Sequence, residues 1–260
     1  MEVKHLSFAY PGRHSGKEDN PVLRDLSVTV SKGKVTTIIG ANGCGKSTLL
    51  NLMTKNLHPD EGTILLDGRD IAEIRGKEYA RKVAIVHQNN VAPPDVTVER
   101  LVSFGRTPYT RRGFPEDKKQ DEEKIRWALD VMKLTDLKDQ PVSELSGGQR
   151  QRAWIALALA QGTDFLFLDE PTTYLDVRYQ LQILRLVRDL NERYGLTIVM
   201  VLHDINQSLC YSDEIIALKD GTVVAQGKPA DVINETLIRE VYDVDLQLVE
   251  VDGEPFVLPV

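Results

Sequence analysis

The sequence predicts an α/β fold in which a mostly parallel sheet is joined by an N-terminal antiparallel β-subdomain and an inserted α-helical lobe. Short apolar runs at 83–86, 165–168, 197–202 and 215–218 are typical of buried strands. Helical apolar spacing at 178–194 and 205–211 lies between the later runs, and strands that alternate with helices favour a parallel sheet. Alternating apolar and polar residues at 3–8 and 23–30 predict half-buried strands at the start of the chain.

The segment between residues 89 and 144 differs in character from its surroundings. Pro93 and Pro94 open an irregular stretch, and residues 121–132 then carry apolar side chains at helical spacing. We therefore predict a single domain of residues 1–260 with an inserted helical lobe at about 89–144. Residues 228–260 form a C-terminal extension, in which 230–242 is predicted to be helical and 246–258 to form a hairpin that turns at Asp252 and Gly253.

The composition of the 260-residue chain restricts its partners. A formal charge of −7 and a pI near 5.3 argue against binding to nucleic acid or to an anionic membrane surface, because both require a basic surface. No apolar stretch approaches the roughly 20 residues that cross a bilayer, and the N-terminus lacks a secretory signal pattern. We expect the chain to act in the cytosol and to meet a membrane only through another protein. We assign neither a metal nor a disulfide to its two cysteines.

The strongest local motif is a glycine-rich loop between the β-branched run 35–39 and a helical pattern at 48–53. Its glycines let backbone N–H groups turn toward a phosphate, and the helix N-terminus adds its positive dipole end. Lys46 is expected to neutralise the β- and γ-phosphates of ATP, and Ser47 to offer its hydroxyl to Mg²⁺. The predicted nucleotide-binding residues of this loop are Gly40, Ala41, Asn42, Gly43, Cys44, Gly45, Lys46, Ser47 and Thr48. The alternative, an ordinary turn before a lysine, does not explain the strand, loop and helix order.

An acidic pair follows the apolar run 165–168. Asp169 is expected to hold Mg²⁺ through its water shell, and Glu170 to act as the general base for an attacking water. The alternative is an acidic pair that only ends a strand before Pro171. The phosphate loop favours the functional interpretation, because in parallel sheets ligands bind at the carboxyl ends of the strands.

A second candidate anion site lies at 145–149. Ser146 and Gln149 have the spacing of a capping box for a helix over 150–160. Gly147 and Gly148 would expose backbone N–H groups at the start of that helix, where a phosphate can bind. The capping and phosphate-binding interpretations are compatible.

Together with the phosphate loop, the run 142–176 resembles the ATP-binding-cassette family, whose signature sequence is LSGGQ, and the similarity covers nearly the whole chain. The resemblance implies a P-loop NTPase core and an ATPase that works as a head-to-tail homodimer of cassettes. Ser146, Gly147, Gly148 and Gln149 of one copy would close over the ATP that the phosphate loop of the other copy holds. Each chain would then supply only half of each active site.

Four further positions match motifs of this family one by one. Tyr10 resembles the aromatic residue that stacks on adenine, although an aromatic at a strand end is also ordinary packing. Gln88 matches the glutamine that contacts magnesium and water and links the site to membrane subunits. Asp176 matches an aspartate of the dimer interface. His203, after the run 197–202, matches the switch histidine at the γ-phosphate, although a lone histidine is often structural.

A narrower resemblance concerns the cargo. The segments 104–108, 171–176, 203–207 and 224–227 resemble ATPases of importers for ferric siderophores, haem and cobalamin. This resemblance implies two transmembrane permease subunits, an extracytoplasmic substrate-binding protein and a position at the cytoplasmic face of the cell membrane. The alternatives are a transporter ATPase for another cargo or a soluble cassette ATPase that acts on nucleic acid, which the acidic charge disfavours. A small-molecule kinase would have a lid in place of the signature helix.

Overall fold

The computed structural model describes residues 1–11, 21–111, 114–251 and 253–259. Its strands are β1 Glu2–Phe8, β2 Leu23–Thr29, β3 Val35–Gly40, β4 Glu61–Leu66, β5 Arg69–Asp70, β6 Val83–Val86, β7 Thr110–Arg111, β8 Phe114–Pro115, β9 Phe165–Leu168, β10 Thr197–Val201, β11 Glu214–Lys219, β12 Thr222–Gly227, β13 Leu246–Val251 and β14 Glu254–Pro259. Its α-helices are α1 Lys46–Met53, α2 Gly76–Ala80, α3 Val98–Ser103, α4 Lys118–Val131, α5 Gly147–Gln161, α6 Val177–Tyr194, α7 Ile205–Tyr211, α8 Pro229–Val232 and α9 Glu235–Tyr242. None of the helices in these ranges is both long and apolar enough to cross a membrane.

The chain forms two compact units, one of Met1–Ile74 with Thr197–Val260 and one of Arg75–Leu196. In the first unit, β1 pairs antiparallel with β2 and β4, and β5 extends this sheet beside β4. Also in the first unit, β3 lies between β10 and β11 and runs parallel to both, while β12 pairs antiparallel with β11. Every residue of β3 and β10 is buried, as expected for parallel strands covered on both faces.

The second unit combines a parallel strand pair with helices. β6 and β9 run parallel in the register Val83 to Phe165 and Val86 to Leu168. The predicted lobe at 89–144 contains α3, α4 and a 3-10 helix over Phe104–Tyr109, all of which pack against α5. The predicted fold class is therefore confirmed in its parallel sheet, its antiparallel β-subdomain and its helical lobe. The prediction of a single domain stays a prediction.

The C-terminal extension differs from its prediction in one respect. The segment 230–242, predicted to be helical, contains two helices, because α8 ends at Val232 and α9 begins at Glu235. Asn234 separates them: its side chain accepts a hydrogen bond of 2.9 Å from the backbone N–H of Leu237 and caps α9. The predicted terminal hairpin is confirmed as the pair β13 and β14, although the predicted turn residue Asp252 lies outside the described residues.

Candidate functional site

The glycine-rich loop connects β3 to α1 in the first unit. Gly40, Gly43 and Gly45 have φ angles of 151°, 82° and 107°, a region that side chains other than glycine rarely adopt. A Cβ atom on Gly40 would lie 2.5 Å from the backbone oxygen of Leu218, so the loop also needs glycine there for space. Gly45 gives α1 no side-chain cap. The N-terminus of α1 is thus built like a binding site for an anion.

Lys46 lies at the centre of this loop. Its side chain is buried, and its ammonium group donates hydrogen bonds of 2.8 Å to the carbonyl oxygen of Gly40 and 2.9 Å to that of Ala41. Carbonyl oxygens offset the cost of burying the charge, and they hold the ammonium above the turn of the loop. A phosphate bound by the loop would give the Lys46 ammonium a charged acceptor in place of these neutral carbonyls.

Tyr10 lies beside the same helix. Its hydroxyl is 3.2 Å from the hydroxyl of Thr48, and its ring makes an edge-on contact with Phe8 at 5.0 Å between ring centres. The residue as a whole remains partly exposed, at 38% of its full accessible surface. The structure therefore brings Tyr10 to the phosphate-loop helix.

His203 directly follows β10 and the buried Leu202, and its own side chain is exposed. Its neighbour Asp204 caps α7, since the Asp204 carboxylate accepts a hydrogen bond of 2.9 Å from the N–H of Gln207. The cap fixes where α7 begins and so fixes the backbone next to His203.

The acidic pair and Gln88 belong to the second unit, and the structure brings Gln88 and Glu170 together. The Gln88 side-chain amide donates to a Glu170 carboxylate oxygen at 2.5 Å, and the Thr173 hydroxyl donates to the same oxygen at 2.9 Å. Asp169 is buried at the end of β9, where its N–H donates to the carbonyl of Val86 at 2.9 Å. The backbone of Glu170 has φ 51°, in the left-handed region that costs a non-glycine residue energy. The hydrogen bonds fix the Glu170 carboxylate in one orientation.

The predicted capping box at the start of α5 is confirmed. The Ser146 hydroxyl accepts from the N–H of Gln149 at 3.3 Å, and the Gln149 side-chain oxygen accepts from the N–H of Ser146 at 2.9 Å. Neither bond uses the N–H groups of Gly147 and Gly148. Those groups lie at the positive end of a helix of 15 residues, as the predicted anion site requires.

Close packing explains one of the two signature glycines. A Cβ on Gly148 would approach the Tyr179 ring to 2.4 Å, so any larger residue would force that ring to move. Asp176 caps that helix by accepting from the N–H of Tyr179 at 3.0 Å. Asp176 therefore has a structural role in its own chain in addition to the interface role predicted for it.

Two residues of the second unit were not among the predicted site residues. One is Thr173, whose hydroxyl contacts the candidate base Glu170. The sequence feature that could have identified Thr173 is its position three residues after Glu170. Tyr179 carried no signal, because its contact with Gly148 joins residues 31 positions apart, the difference between 179 and 148.

Residues 23–173 match the profile of the ABC transporter family, a span that contains the phosphate loop, the acidic pair and the signature sequence. The chain belongs to the ABC transporter family. It is 45% identical, over 94% of its length and 89% of the relative, to the probable siderophore transport system ATP-binding protein YusV of Bacillus subtilis. It is 43% identical to the ferric enterobactin transport ATP-binding protein FepC of Escherichia coli, over 92% of this chain and 88% of that protein.

The chain is also similar to a solved structure of a nucleotide-bound cassette. The ATP-binding cassette MJ0796, as a dimer in a post-hydrolysis state with ADP and Pi, matches 88% of this chain and 98% of its own chain. The TM-score is 0.74 at 29% sequence identity. The chain is therefore a nucleotide-binding ABC ATPase subunit.

Proposed function

We propose that this ABC ATPase is the motor subunit of an importer for an iron(III)-siderophore or a similar metal chelate. The support is the identity of 45% and 43% to ATP-binding proteins of siderophore and ferric enterobactin transport, across nearly the full length of all three chains. The cargo itself would be chosen by the membrane and binding-protein subunits. Transport of another cargo by the same motor is the second candidate, since ABC transporters share their ATPase.

In the proposed mechanism, ATP binds through its phosphates to the loop Gly40–Thr48, with Lys46 as the main countercharge and the ring of Tyr10 against adenine. Lys46 would move its hydrogen bonds from the loop carbonyls to the β- and γ-phosphates. Gln88, Glu170 and His203 act on the attacking water and the γ-phosphate. The observation that carries the hydrolytic role is the carboxylate of Glu170, which two neutral donors orient at the end of β9.

Magnesium fits the donors that the chain offers. The Ser47 hydroxyl, the Gln88 side-chain oxygen and the Asp169 carboxylate are oxygen donors of the kind that this cation prefers. They are too few for a complete coordination shell, so ATP phosphates and water would supply the other ligands. The ion would neutralise charge on the phosphates during hydrolysis.

We further propose that two copies pair head to tail, so that residues 146–149 and Asp176 of one copy meet the nucleotide on the other. Closure of this homodimer would drive two transmembrane permease subunits at the cytoplasmic face of the cell membrane. An extracytoplasmic substrate-binding protein would deliver the cargo to the permease. The uncapped N–H groups of Gly147 and Gly148 at the start of α5 support the role given to the signature sequence.

Substitution of Glu170→Gln tests the proposed mechanism of hydrolysis. ATP binding should be retained, because the two side chains have nearly the same shape, whereas kcat should fall by about 100-fold or more, the range for loss of a general base. Magnesium-dependent phosphate release and ATP binding should be measured on the same preparation. Glu122→Gln is the matched control, since Glu122 is exposed on α4 and forms a long ion pair with Lys118 at 3.7 Å. Wild-type turnover in Glu170→Gln would remove Glu170 from its role.

A further inference from the structure

The described part of the C-terminal extension, residues 228–251 and 253–259, packs on the end of strand β3 that leads into the phosphate loop. It lies outside residues 23–173, the part of the chain that matches the family profile. A buried apolar cluster joins it to the first unit. The members of this cluster are Ile39, Ile215, Ala217, Val232, Ile233, Leu237, Ile238, Val241 and Val257. Ile39 is the residue directly before Gly40, so the extension supports the chain where the phosphate loop begins.

One side chain of the extension contacts the loop itself. The Tyr242 hydroxyl, at the end of α9, accepts a hydrogen bond of 3.2 Å from the backbone N–H of Gly40. The carbonyl of the same residue, Gly40, accepts the 2.8 Å hydrogen bond from Lys46. Gly40 is therefore fixed on its N–H side by Tyr242 and on its carbonyl side by Lys46. Burial raises the pKa of Tyr242 to about 12, so its hydroxyl stays protonated at neutral pH.

A second contact joins the extension to α7, the helix that begins two residues after His203. The Asn206 side chain donates to the carbonyl of Val257 at 3.0 Å and accepts from the N–H of Val257 at 2.8 Å. Two opposed hydrogen bonds fix the side-chain amide in one orientation and tie β14 to α7. Ile205 and Leu209 of α7 also pack on the apolar cluster.

We propose that the C-terminal extension positions the nucleotide site of this chain, with Tyr242 as a positioning residue for the phosphate loop and Asn206 as the link to α7. This inference rests on the proposed function, because it assigns Gly40, Lys46 and His203 to ATP. Tyr242 acts through Gly40 and Asn206 acts through α7. Removal of the Tyr242 contact should therefore affect ATP binding, and removal of the Asn206 contact should affect hydrolysis. The two variants should have different kinetic effects.

The competing interpretation is that Tyr242 only fills the apolar cluster with its ring. Tyr242→Phe separates the two, because it keeps the ring and removes the hydroxyl alone. The buried N–H of Gly40 then loses its acceptor, and the start of the loop is free to shift. Tyr79→Phe is the matched control, since Tyr79 is a buried tyrosine of α2 in the second unit.

The experiment measures the ATP Kd, KM and kcat of the full-length variants. Tyr242→Phe should weaken ATP binding and raise KM by about fivefold to tenfold, as expected for loss of one hydrogen bond that orders the site, with a smaller change in kcat. Tyr79→Phe should keep the wild-type Kd and KM. An unchanged Kd and KM in Tyr242→Phe overturns the role of Tyr242, whatever happens to its melting temperature.

Asn206→Ala should show the complementary pattern. Its kcat should fall by about threefold or more, with an ATP Kd within twofold of wild type. The reason is that α7 follows His203, which is assigned to the γ-phosphate, and does not follow the phosphate loop. A wild-type kcat overturns the link through Asn206. Lys46→Ala separates this inference from the proposed function. If Lys46→Ala retains wild-type ATP binding, the nucleotide site is wrongly assigned. If Lys46→Ala loses ATP binding while Tyr242→Phe keeps the wild-type Kd and KM, only the positioning role is rejected.

Discussion

At the residue scale, Lys46 donates to two loop carbonyls the same kind of hydrogen bond that it is proposed to donate to ATP. Its ammonium is satisfied by the carbonyls of Gly40 and Ala41, so its burial needs no ligand. Exchange of neutral acceptors for phosphate oxygens gives a stronger, charge-assisted bond. An anion bound at the loop would therefore gain more from Lys46 than the loop carbonyls do.

Lys46→Ala should weaken ATP binding by about tenfold to 100-fold, the value of one or two hydrogen bonds between charged groups. The reason is that the substitution deletes the countercharge and leaves two loop carbonyls without their donor. Equilibrium titration with a fluorescent ATP analogue measures the effect. Lys32→Ala, at an exposed lysine, is the control. Equal affinities for the two variants would contradict the role of Lys46.

The two cysteines should differ in reactivity. Burial raises the pKa of the Cys44 thiol above its ordinary value, because the thiolate would lose its hydration inside the phosphate loop, whereas Cys210 is exposed. The thiolate fraction of Cys44 therefore rises only at a pH above the ordinary thiol range. Iodoacetamide at pH 8, followed by mass spectrometry, should label Cys210 in the native protein and Cys44 only after unfolding in urea. Equal labelling of both thiols in the native protein would contradict this prediction.

At the element scale, the helical lobe is organised around a buried ion pair. The Arg106 guanidinium donates to Asp121 at 2.7 Å and to the carbonyl of Ala160 at 2.8 Å, and it lies 3.7 Å from the ring centre of Tyr109. Both charged side chains are less than one tenth exposed. This contact ties the 3-10 helix Phe104–Tyr109 to the start of α4 and the end of α5.

Arg106→Leu should lower the free energy of unfolding by about 3–5 kcal/mol, because it leaves the carboxylate of Asp121 buried without its partner. The double variant with Asp121→Leu should lose less, since no uncompensated charge remains. Urea unfolding followed by circular dichroism measures both. Lys118→Ala, which breaks only an exposed pair on α4, should cost about 0.5 kcal/mol or less. A loss for Arg106→Leu as small as that control would show that the pair contributes nothing.

Elements with a local pattern were predicted well from the sequence. The strands β6 and β9 are continuous apolar runs and were predicted with their observed bounds. The capping box was predicted because its two partners are three residues apart. The first half of β4 is exposed and polar, and its pairing with β1 joins residues about 60 positions apart, so nothing local revealed it.

Within the site, the same difference between local and distant contacts applies. The phosphate loop is defined by three glycines and a lysine within seven consecutive residues, 40–46, whereas the bond between Gly40 and Tyr242 joins residues 202 positions apart. The bond between Gln88 and Glu170 spans 82 positions. The sequence predicted the role of Glu170 from its position after an apolar strand and the role of Gln88 only from a family motif, but the contact between the two residues required the fold.

At the scale of the whole molecule, the acidic charge and the family relationship favour the same interpretation. A chain of net charge −7 has no electrostatic drive toward nucleic acid, which disfavours the soluble alternative that the sequence left open. The proposed motor also requires more than one copy, because residues 146–149 are assigned to the nucleotide of the partner. Nucleotide and assembly should therefore be linked.

The mass of Glu170→Gln in solution, measured by light scattering with and without Mg-ATP, tests this link. The variant should bind ATP without turning it over, and its mass should rise from 29.2 kDa to about twice that value because two trapped nucleotides close the dimer. Wild type, which hydrolyses its ATP, should remain mostly at the lower mass. A Glu170→Gln chain that binds Mg-ATP yet stays at 29.2 kDa at every protein concentration would contradict the proposed head-to-tail motor.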